Sequence, residues 1–433
     1  MPIRFFFRNT VILLAGVFTI NVLSCRAQAQ SQVQITAIAP KLTDSRIDSA
    51  LNDHYVFINR SVQKRNTLVV FFPGTGGEPR NYRAFPTVAA NLGFHAVGLM
   101  YPNEITVNGR CGGMNNDLNC AGDVRGEHLD AIDRTPLVTV SRANSIENRL
   151  VKLLQYLHRQ NPQDNWVQYI ERNATGDSVP RWSSIIVAGH SQGGGYAGYI
   201  ATQKRVARSI MFCALDYNAA QGRLSAWVTG AKATPQTDFF AMAHERDELV
   251  PYTIISGPMW SAFGIPSAGT TVNVDVVKPP YPQTRSFSTS LASAPLGVLL
   301  TISPLHNAPA VDVNVPLEGG KFVFEPAWEY MLTAPSLTTS VHETNIDGAL
   351  GLLPFRVFPN PASNLVSLQG VKGVFLLTLT NMLGQTLTTH TFEQSPATLD
   401  VSSLPNGMYF LRITSANGQI LPQTFQHLLH IQR

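Results

Sequence analysis

One serine lies in a sequence context that could make it a nucleophile. Residues 189–193 read Gly-His-Ser-Gln-Gly, and Ser191 stands between an apolar run of strand length at 184–188 and a helical pattern at 194–202. This arrangement is typical of a nucleophile elbow, because the glycines relieve collisions in a tight turn that raises the hydroxyl above the sheet edge. The backbone N–H of Gln192 would then begin the helix, where it could stabilise an oxyanion. A phosphate-binding or purely structural turn is the alternative interpretation.

A second Gly-rich turn could supply another oxyanion donor. Residues 71–77 read Phe-Phe-Pro-Gly-Thr-Gly-Gly and follow an apolar run at 68–72. In a fold with a nucleophile elbow, the other donor comes from the loop after an earlier strand. We therefore expect the backbone N–H of Thr75 to serve, with Gly76 as its neighbour. A tight turn without a ligand is the alternative.

Strand-length apolar runs alternate with helical patterns from about residue 66 to residue 332. The predicted strands lie at 68–72, 95–100, 184–188, 209–215, 239–243 and 298–302. The predicted helices lie at 81–92, 145–158 and 194–202. This alternation predicts an α/β fold, with a mostly parallel sheet and helices on both faces.

Composition and charge exclude several classes of protein. The chain has 433 residues, of which 44 % are hydrophobic and 14 % charged, so it is neither disordered nor a charged coiled coil. Three basic residues and no acid fall in the first 29 positions, so the net charge of +4 becomes +1 without them (29 minus 28). A near-neutral surface predicts no nucleic-acid partner and no strong attraction to anionic membranes.

The first 29 residues predict a cleavable export signal. Arg4 and Arg8 precede the apolar stretch Val11–Leu23, and Ala27–Ala29 fits a small-x-small cleavage site. The apolar stretch has about 13 residues, whereas a membrane span needs roughly 20. No later stretch is long and apolar enough for a stable membrane span. Lipoprotein processing at Cys25 is the alternative.

An insert at 103–139 interrupts the alternation and contains two cysteines. It is polar and Gly-rich, so we expect a loop over the carboxyl edge of the sheet, either a lid that selects substrates or a pinned surface loop. In an exported protein Cys111 and Cys120 predict a disulfide, since a zinc site would need more ligands nearby. Arg125 and Glu127 are expected to pair with each other. Outside the insert, Cys213 is expected to be a small core residue.

Residues 50–332 resemble the α/β-hydrolase superfamily of serine esterases, lipases and peptidases. The resemblance rests on the two Gly-rich turns described above. The resemblance implies a doubly wound, mostly parallel sheet and a triad in the chain order serine, acid, histidine. It implies Asp247 as the acid, because 247–251 is similar to the family's Asp-x-x-Val-Pro, and His306 as the base after the last core strand. Where the family often has His-Gly, this chain has Pro-Gly at 73–74, so one polar contact is expected to be missing.

Other acids and histidines remain as alternatives. Three acids could replace Asp247: Asp216, Glu245 and Glu248. Two histidines near the site are expected to position other groups or to pack in the core: His190 and His244. His342 is expected to be solvated in a linker.

These residues predict a secreted serine hydrolase that cleaves an ester through an acyl-enzyme. The catalytic residues would be Ser191, Asp247 and His306, and the oxyanion donors Thr75 and Gln192. No metal or organic cofactor is expected. A serine peptidase of the same fold and a non-catalytic surface binding protein on a hydrolase scaffold are the alternatives.

The C-terminal part has a different character. Residues 333–351 are rich in Thr, Ser, Ala and Gly and predict a linker. Residues 352–433 contain short alternating strands between turn signals, which predicts a small all-β sandwich. The hydrolase domain would therefore cover 30–332. An adhesive or carbohydrate-binding module is one interpretation of the sandwich.

Residues 355–433 resemble the C-terminal sorting domain of the type IX secretion system. The matching pieces are Val357–Ala362, Thr380–Gln385, Leu399–Arg412 and Leu428–Ile431. The resemblance implies the secretion machinery as a partner and passage across both membranes. It also implies removal of the module at the surface, and so a secreted or cell-surface location.

Overall fold

The structure is a computed structural model. It describes residues 33–112, 116–218, 221–291, 303–335, 356–359, 362–369, 375–381, 385–393, 396–415 and 425–432. The signal peptide predicted at 1–29, the strand predicted at 298–302 and most of the linker predicted at 333–351, with His342, lie outside these residues. The chain divides into two units, Met1–Leu337 and Thr338–Arg433.

The first unit contains strands and helices in alternation. Its strands are β1 (Gln34–Ile38), β2 (His54–Ile58), β3 (Leu68–Phe72), β4 (His95–Gly98), β5 (Ile170–Arg172), β6 (Ser178–Pro180), β7 (Ile185–His190), β8 (Arg208–Phe212), β9 (Tyr217–Asn218), β10 (Arg223–Leu224), β11 (Phe239–His244), β12 (Val272–Asn273), β13 (Ser286–Thr289), β14 (Leu317–Glu318) and β15 (Lys321–Phe322). Its α-helices are α1 (Pro40–Thr43), α2 (Ala84–Asn91), α3 (Val107–Arg110), α4 (Cys120–Asp130), α5 (Ile146–Gln160), α6 (Gln192–Gln203), α7 (Ala226–Thr229), α8 (Tyr252–Ile254), α9 (Trp260–Ala262), α10 (Pro304–Asn307) and α11 (Glu325–Thr333). A π-helical turn, Ile255–Met259, joins α8 to α9.

Nine strands form one mixed sheet in the order β1-β2-β4-β3-β7-β8-β11-β13-β12. The pairs from β4 to β12 are parallel, whereas β2 pairs antiparallel with both β1 and β4. Parallel strands place their carboxyl ends at one edge of the sheet, which is where α/β folds bind ligands.

Helices cover both faces of this sheet. Along β3, Leu68 and Val70 belong to one apolar core, which contains residues of α4, α5 and α6. Val69 and Phe71 belong to a second core, with residues of α2 and α11. Successive residues of a strand point to opposite faces, so a strand buried on both sides is apolar throughout.

The apolar runs located the central strands but not the outer ones. The strands predicted at 68–72, 95–100, 184–188, 209–215 and 239–243 correspond to β3, β4, β7, β8 and β11. The alternation missed β1 and β2, which precede residue 66, and β12 and β13. β1 is largely exposed and β13 reads Ser-Phe-Ser-Thr, so neither forms an apolar run.

The structure corrects two expectations about the insert. The expected polar loop is wrong in part, because the insert contains α3 and α4, and most of α4 is buried. The expected pair of Arg125 and Glu127 is also wrong, since neighbours two apart on a helix point in different directions. Arg125 pairs with Asp216, and Glu127 accepts the backbone N–H groups of Arg134 and Val140 at 3.3 and 3.2 Å. The Cys111–Cys120 disulfide is present.

The second unit consists of two antiparallel sheets that share one apolar core. Its strands are β16 (Arg356–Phe358), β17 (Leu365–Gln369), β18 (Phe375–Asn381), β19 (Thr386–Phe392), β20 (Ala397–Asp400), β21 (Gly407–Ser415) and β22 (Phe425–Ile431). The sheets have the orders β16-β17-β20 and β19-β18-β21-β22. Val366 and Leu399 from one sheet belong to the same core as Leu377 and Leu429 from the other.

Within the residues that the structure describes, no helix has both the length and the apolar character needed to cross a membrane.

Candidate active site

Ser191 occupies a strained turn between β7 and α6. Its φ and ψ are 55° and −120°, and such a conformation costs a residue other than glycine about 1–3 kcal/mol. The backbone N–H of Ser191 donates to the Phe212 carbonyl at the end of β8, over 2.8 Å. The nucleophile candidate is therefore held at the carboxyl edge of two adjacent parallel strands.

The two glycines of the Gly-His-Ser-Gln-Gly motif are required by close backbone contacts. A Cβ at Gly189 would lie 2.3 Å from the carbonyl oxygen of Gly193. A Cβ at Gly193 would lie 2.0 Å from the carbonyl oxygen of Phe72. The motif thus reflects the close approach of α6 to the ends of β3 and β7.

Asp247 and His306 form a buried hydrogen-bonded pair. His306 Nδ1 donates to Asp247 Oδ2 over 2.7 Å, and the two side chains are 2 % and 0 % exposed. Asp247 Oδ1 accepts the backbone N–H groups of Leu249 and Val250, each at 2.9 Å. Burial alone would raise the pKa of Asp247, but the hydrogen bonds and charge of His306 and the two N–H groups outweigh it and lower that pKa.

The other ring nitrogen of His306 is available. His306 Nε2 is buried and has no hydrogen-bond partner among the described residues. Ser191 and His306 line the same cavity, which has a volume of about 430 Å³. A histidine held through Nδ1 and open at Nε2 has the arrangement that a general base requires.

Glu248 holds the backbone of the histidine segment. Its two carboxylate oxygens accept the N–H groups of Leu305 and His306 at 2.9 and 2.8 Å. Glu245, another alternative acid, instead binds Asn273 Nδ2 and Ser288 Oγ, each at 2.8 Å. The role of Glu248 was missed in the sequence, where its position next to Asp247 was the available signal.

Thr75 and Gln192 line the same cavity as Ser191 and contact each other. Thr75 Oγ1 donates to Gln192 Oε1 over 3.1 Å. No acceptor among the described residues is assigned to the backbone N–H of Thr75 or of Gln192. Both N–H groups are therefore free to bind an oxyanion.

Asn103 positions the Thr75 turn and was not identified from the sequence. Its side-chain amide nitrogen donates to the backbone carbonyls of Gly74 and Gly77 at 2.7 and 2.9 Å, and its backbone carbonyl accepts the N–H of Gly76 at 2.9 Å. The amide thus takes up carbonyls that the tight turn leaves unpaired. Its location at the start of the insert is the only sequence signal it carries.

Asp216, the first alternative acid, is committed to a buried ion pair. Its carboxylate accepts Arg125 Nε at 2.7 Å and Nη2 at 2.8 Å, and also Trp227 Nε1 at 2.9 Å. Both side chains of the pair are nearly inaccessible, at 2 % and 3 % exposure. Asp216 does not contact His306, so the structure brings Asp247 and not Asp216 to the histidine.

The two neighbouring histidines bind backbone groups. His190 Nε2 donates to the His306 carbonyl at 2.9 Å, and its Nδ1 contacts the Tyr82 hydroxyl at 3.2 Å. Burial lowers the pKa of His190 to about 3. His244 Nε2 donates to the Leu291 carbonyl at 3.1 Å.

Among the described residues, one group of potential metal ligands lies beside Ser191. Ligand atoms of His190, Cys213 and His306 lie within 4.8 Å of one another. Both ring nitrogens of His190 are engaged in hydrogen bonds, so a metal would have to displace one of them. Cys213 follows β8, lines the cavity and is buried, which raises the pKa of its thiol.

The rest of the cavity lining is mixed, with Thr106, Asn108 and Tyr217 beside a group of apolar residues. The apolar residues are Val107, Leu215, Leu249, Val250, Pro251 and Ile254. Arg125 and Asp216 neutralise each other. The lining therefore has no unpaired charge unless His306 is protonated.

Comparison with known proteins identifies the C-terminal part of the chain. Residues 356–424 match the family described as secretion system C-terminal sorting domain. This is a type IX secretion sorting domain, and it indicates export to the cell surface or beyond. No curated protein matches the chain.

Two solved structures are similar to small parts of the chain. One is a DUF3244 family protein with an immunoglobulin-like β-sandwich fold from Bacteroides vulgatus, at 20 % identity, over 20 % of this chain and 92 % of that one, with a TM-score of 0.16. The other is PorZ, a surface component of the type IX secretion system of Porphyromonas gingivalis, at 14 % identity. That match covers 18 % of this chain and 12 % of PorZ, with a TM-score of 0.16.

Proposed function

We propose that residues 30–332 form a serine hydrolase of the α/β-hydrolase superfamily, which cleaves a carboxylic ester through an acyl-enzyme. The observation that carries this proposal is that Asp247 binds His306, which lines the same cavity as Ser191. His306 is held at Nδ1 and unpartnered at Nε2, which suits a base that acts on the serine.

The residues would act in the following order. His306 Nε2 takes the proton of Ser191 Oγ as that oxygen attacks the carbonyl carbon of the ester. Asp247 stabilises the imidazolium, and the backbone N–H groups of Thr75 and Gln192 bind the oxyanion. His306 then gives its proton to the departing alcohol. His306 then takes a proton from water as that water attacks the acyl carbon, and returns it to Ser191 Oγ when the bond to the acid breaks.

The apolar residues of the cavity lining favour, as substrate, an ester with an uncharged, apolar group on one side of the scissile bond. The insert contributes Val107, and the acid loop contributes Leu249 and Val250. Burying an apolar chain against such side chains is favourable by about 25 cal/mol per Å². A charged group would be desolvated there without a free partner.

A fluorophosphonate probe tests the proposal directly, since it reacts with an activated serine. We expect the purified full chain to be labelled, and Ser191→Ala to lose labelling and ester hydrolysis together. Ser183→Ala, which removes an exposed hydroxyl before β7, is the matched control and should label like the unchanged protein. If the native protein is folded but is not labelled, the hydrolase proposal is contradicted and the surface binding protein is favoured.

The serine peptidase is the second candidate. The same catalytic groups can attack an amide, so the distinction depends on the leaving group rather than on the triad. Matched ester and anilide substrates with the same acyl group separate the two functions. A greater kcat/KM for the anilide would favour the peptidase.

The sorting domain sets where this activity would operate. The chain is exported by the type IX system, so the substrate would be met at the cell surface or in the surrounding medium. We propose that the hydrolase acts there after the sorting domain has been removed.

A further inference from the structure

The insert holds Gln192 at its side-chain oxygen. The backbone N–H of Val107, the first residue of α3, donates to Gln192 Oε1 over 3.0 Å. Thr75 Oγ1 donates to the same oxygen over 3.1 Å. One amide oxygen therefore joins the insert to Thr75 and Gln192, the two residues proposed as oxyanion donors.

The insert also holds Gln192 at its backbone. Arg125, on α4, donates through Nη1 to the Gln192 carbonyl over 3.1 Å. Its other nitrogens bind Asp216, so the guanidinium is fixed between the nucleophile helix and the end of β8. A Cβ at Gly195 would lie 2.2 Å from Arg125 Nη2, which explains why the third glycine of the 193–195 run is needed.

A disulfide joins the two parts of the insert that make these contacts. Cys111 directly follows α3, and Cys120 is the first residue of α4. Their Cα atoms lie 5.9 Å apart. A helix of four residues such as α3 has little stability of its own, so its position depends on this link and on its tertiary contacts.

We propose that the insert is a disulfide-closed clamp that positions Gln192, rather than a lid. Val107 and Arg125 are positioning residues, and full turnover requires the Cys111–Cys120 bond. The inference rests on the proposed function, because it concerns the oxyanion donors of that site. The enzyme would accordingly reach full activity only after export into a compartment that permits disulfides.

Val107→Pro tests one arm of the clamp without a large change in shape. Proline is well accepted at the first position of a helix, and it removes only the N–H that Gln192 Oε1 accepts. Thr106 has φ −61° and ψ 145°, a conformation that a residue before proline adopts readily. Val107→Ala is the matched reference, since it also shortens the side chain but keeps the N–H.

The readout is kcat and KM for an uncharged ester such as p-nitrophenyl butyrate. Complete loss of an oxyanion donor costs about 10²–10³ in kcat, and displacement should cost less. We expect kcat of Val107→Pro to be about tenfold below that of Val107→Ala, with KM within about twofold. Equal kcat values in the two variants would overturn this arm of the clamp.

Reduction of the disulfide tests whether full turnover requires the Cys111–Cys120 bond. Dithiothreitol transfers two electrons to the cystine, which becomes two thiols, while the reagent closes to its own cyclic disulfide. We expect kcat of the native chain to fall about tenfold on reduction and to recover on reoxidation. The double variant Cys111→Ser/Cys120→Ser should show the lowered kcat and no response to dithiothreitol.

The outcomes separate the clamp from the function on which it rests. A fluorophosphonate probe that fails to label the oxidised native chain contradicts the hydrolase itself. Labelling of Ser191 together with unchanged kcat after verified reduction contradicts the clamp and leaves the hydrolase standing. If the double variant does not fold, reversible reduction and the Val107 pair still decide the matter.

Discussion

Asp216 follows β8 and Asp247 follows β11, so two carboxylates lie at the same edge of one sheet, on neighbouring parallel strands. Both side chains are buried, and each has one principal partner. Asp247 binds His306 through one oxygen and two backbone N–H groups through the other. Asp216 binds the Arg125 guanidinium with both oxygens.

The two carboxylates differ in what their partners can do. An arginine stays charged at every accessible pH and forms a rigid bidentate pair, so Arg125 and Asp216 hold the insert against α6. An imidazole can gain and lose a proton near neutral pH, so a carboxylate bound to it can support proton transfer. The same residue type in equivalent positions is therefore structural in one case and suited to catalysis in the other.

Removing the charge of Asp247 should have the largest effect. Asp247→Asn keeps the side-chain shape but favours the wrong tautomer of His306, and we expect kcat to fall about 10⁴-fold. Circular dichroism and the unfolding midpoint should stay near those of the native chain. A loss of kcat of less than tenfold would contradict the role of Asp247 and favour one of the alternative acids.

Removing the charge of Asp216 should act mainly on stability. Asp216→Asn leaves the Arg125 charge buried and unpaired, and breaking such a pair typically costs about 3–5 kcal/mol. Urea unfolding would measure this change in the free energy of unfolding. Glu78→Gln, at an ion pair of 2.7 Å whose arginine is 62 % exposed, is the control and should cost under about 1 kcal/mol. Equal losses would remove the distinction between the two pairs.

Lowering the pH should reduce the free energy of unfolding through His190. Burial lowers its pKa to about 3 in the folded protein, against about 6.5 when unfolded. Below about pH 6.5 the unfolded chain therefore binds a proton that the folded chain does not, and stability falls as the pH falls toward 3.

The variant His190→Gln should remove this contribution. We expect the dependence of the unfolding free energy on pH to become shallower by about 1.4 kcal/mol per pH unit between pH 6 and 4. Urea unfolding at several pH values measures both slopes. Parallel curves for the variant and the native chain would show that His190 is not buried in its neutral form.

Glu248 should have the smallest effect of the four. Glu248→Gln leaves one good acceptor for the two N–H groups of Leu305 and His306, so the histidine is held less firmly. We expect kcat to fall about tenfold, equivalent to about 1.4 kcal/mol, with little change in KM. Glu245→Gln, in the same loop but bound elsewhere, is the matched control. A similar loss in both variants would show a general effect of the loop.

Local sequence patterns were sufficient for the centre of the fold. β3, β7, β8 and β11 are apolar throughout because a central parallel strand is covered on both faces. β13 escaped prediction because its serines and threonine satisfy their hydroxyls inside the protein, with Thr271, Glu245 and Asp275 as partners. Such compensation is invisible until the partners are placed together.

The insert likewise shows that local sequence patterns do not predict long-range contacts at the site. Its polar composition predicts a loop, in which Arg125 and Glu127 are expected to pair with each other. The structure buries Arg125 against Asp216, 91 residues away in the chain. A long-range ion pair leaves no periodic signal in either segment, so only the fold could reveal it.

Local sequence was enough for the tight turn at Ser191, the disulfide and the sorting domain, because each depends on residues that are close together in the chain. The Gly-His-Ser-Gln-Gly motif is a local steric requirement, and the sorting motifs lie within about 80 residues of the C-terminus. Which acid reaches His306, and what holds Gln192, was decided only by the tertiary structure. Those contacts join segments 59 and 85 residues apart, and their distances depend on the register of the sheet, which no single segment encodes.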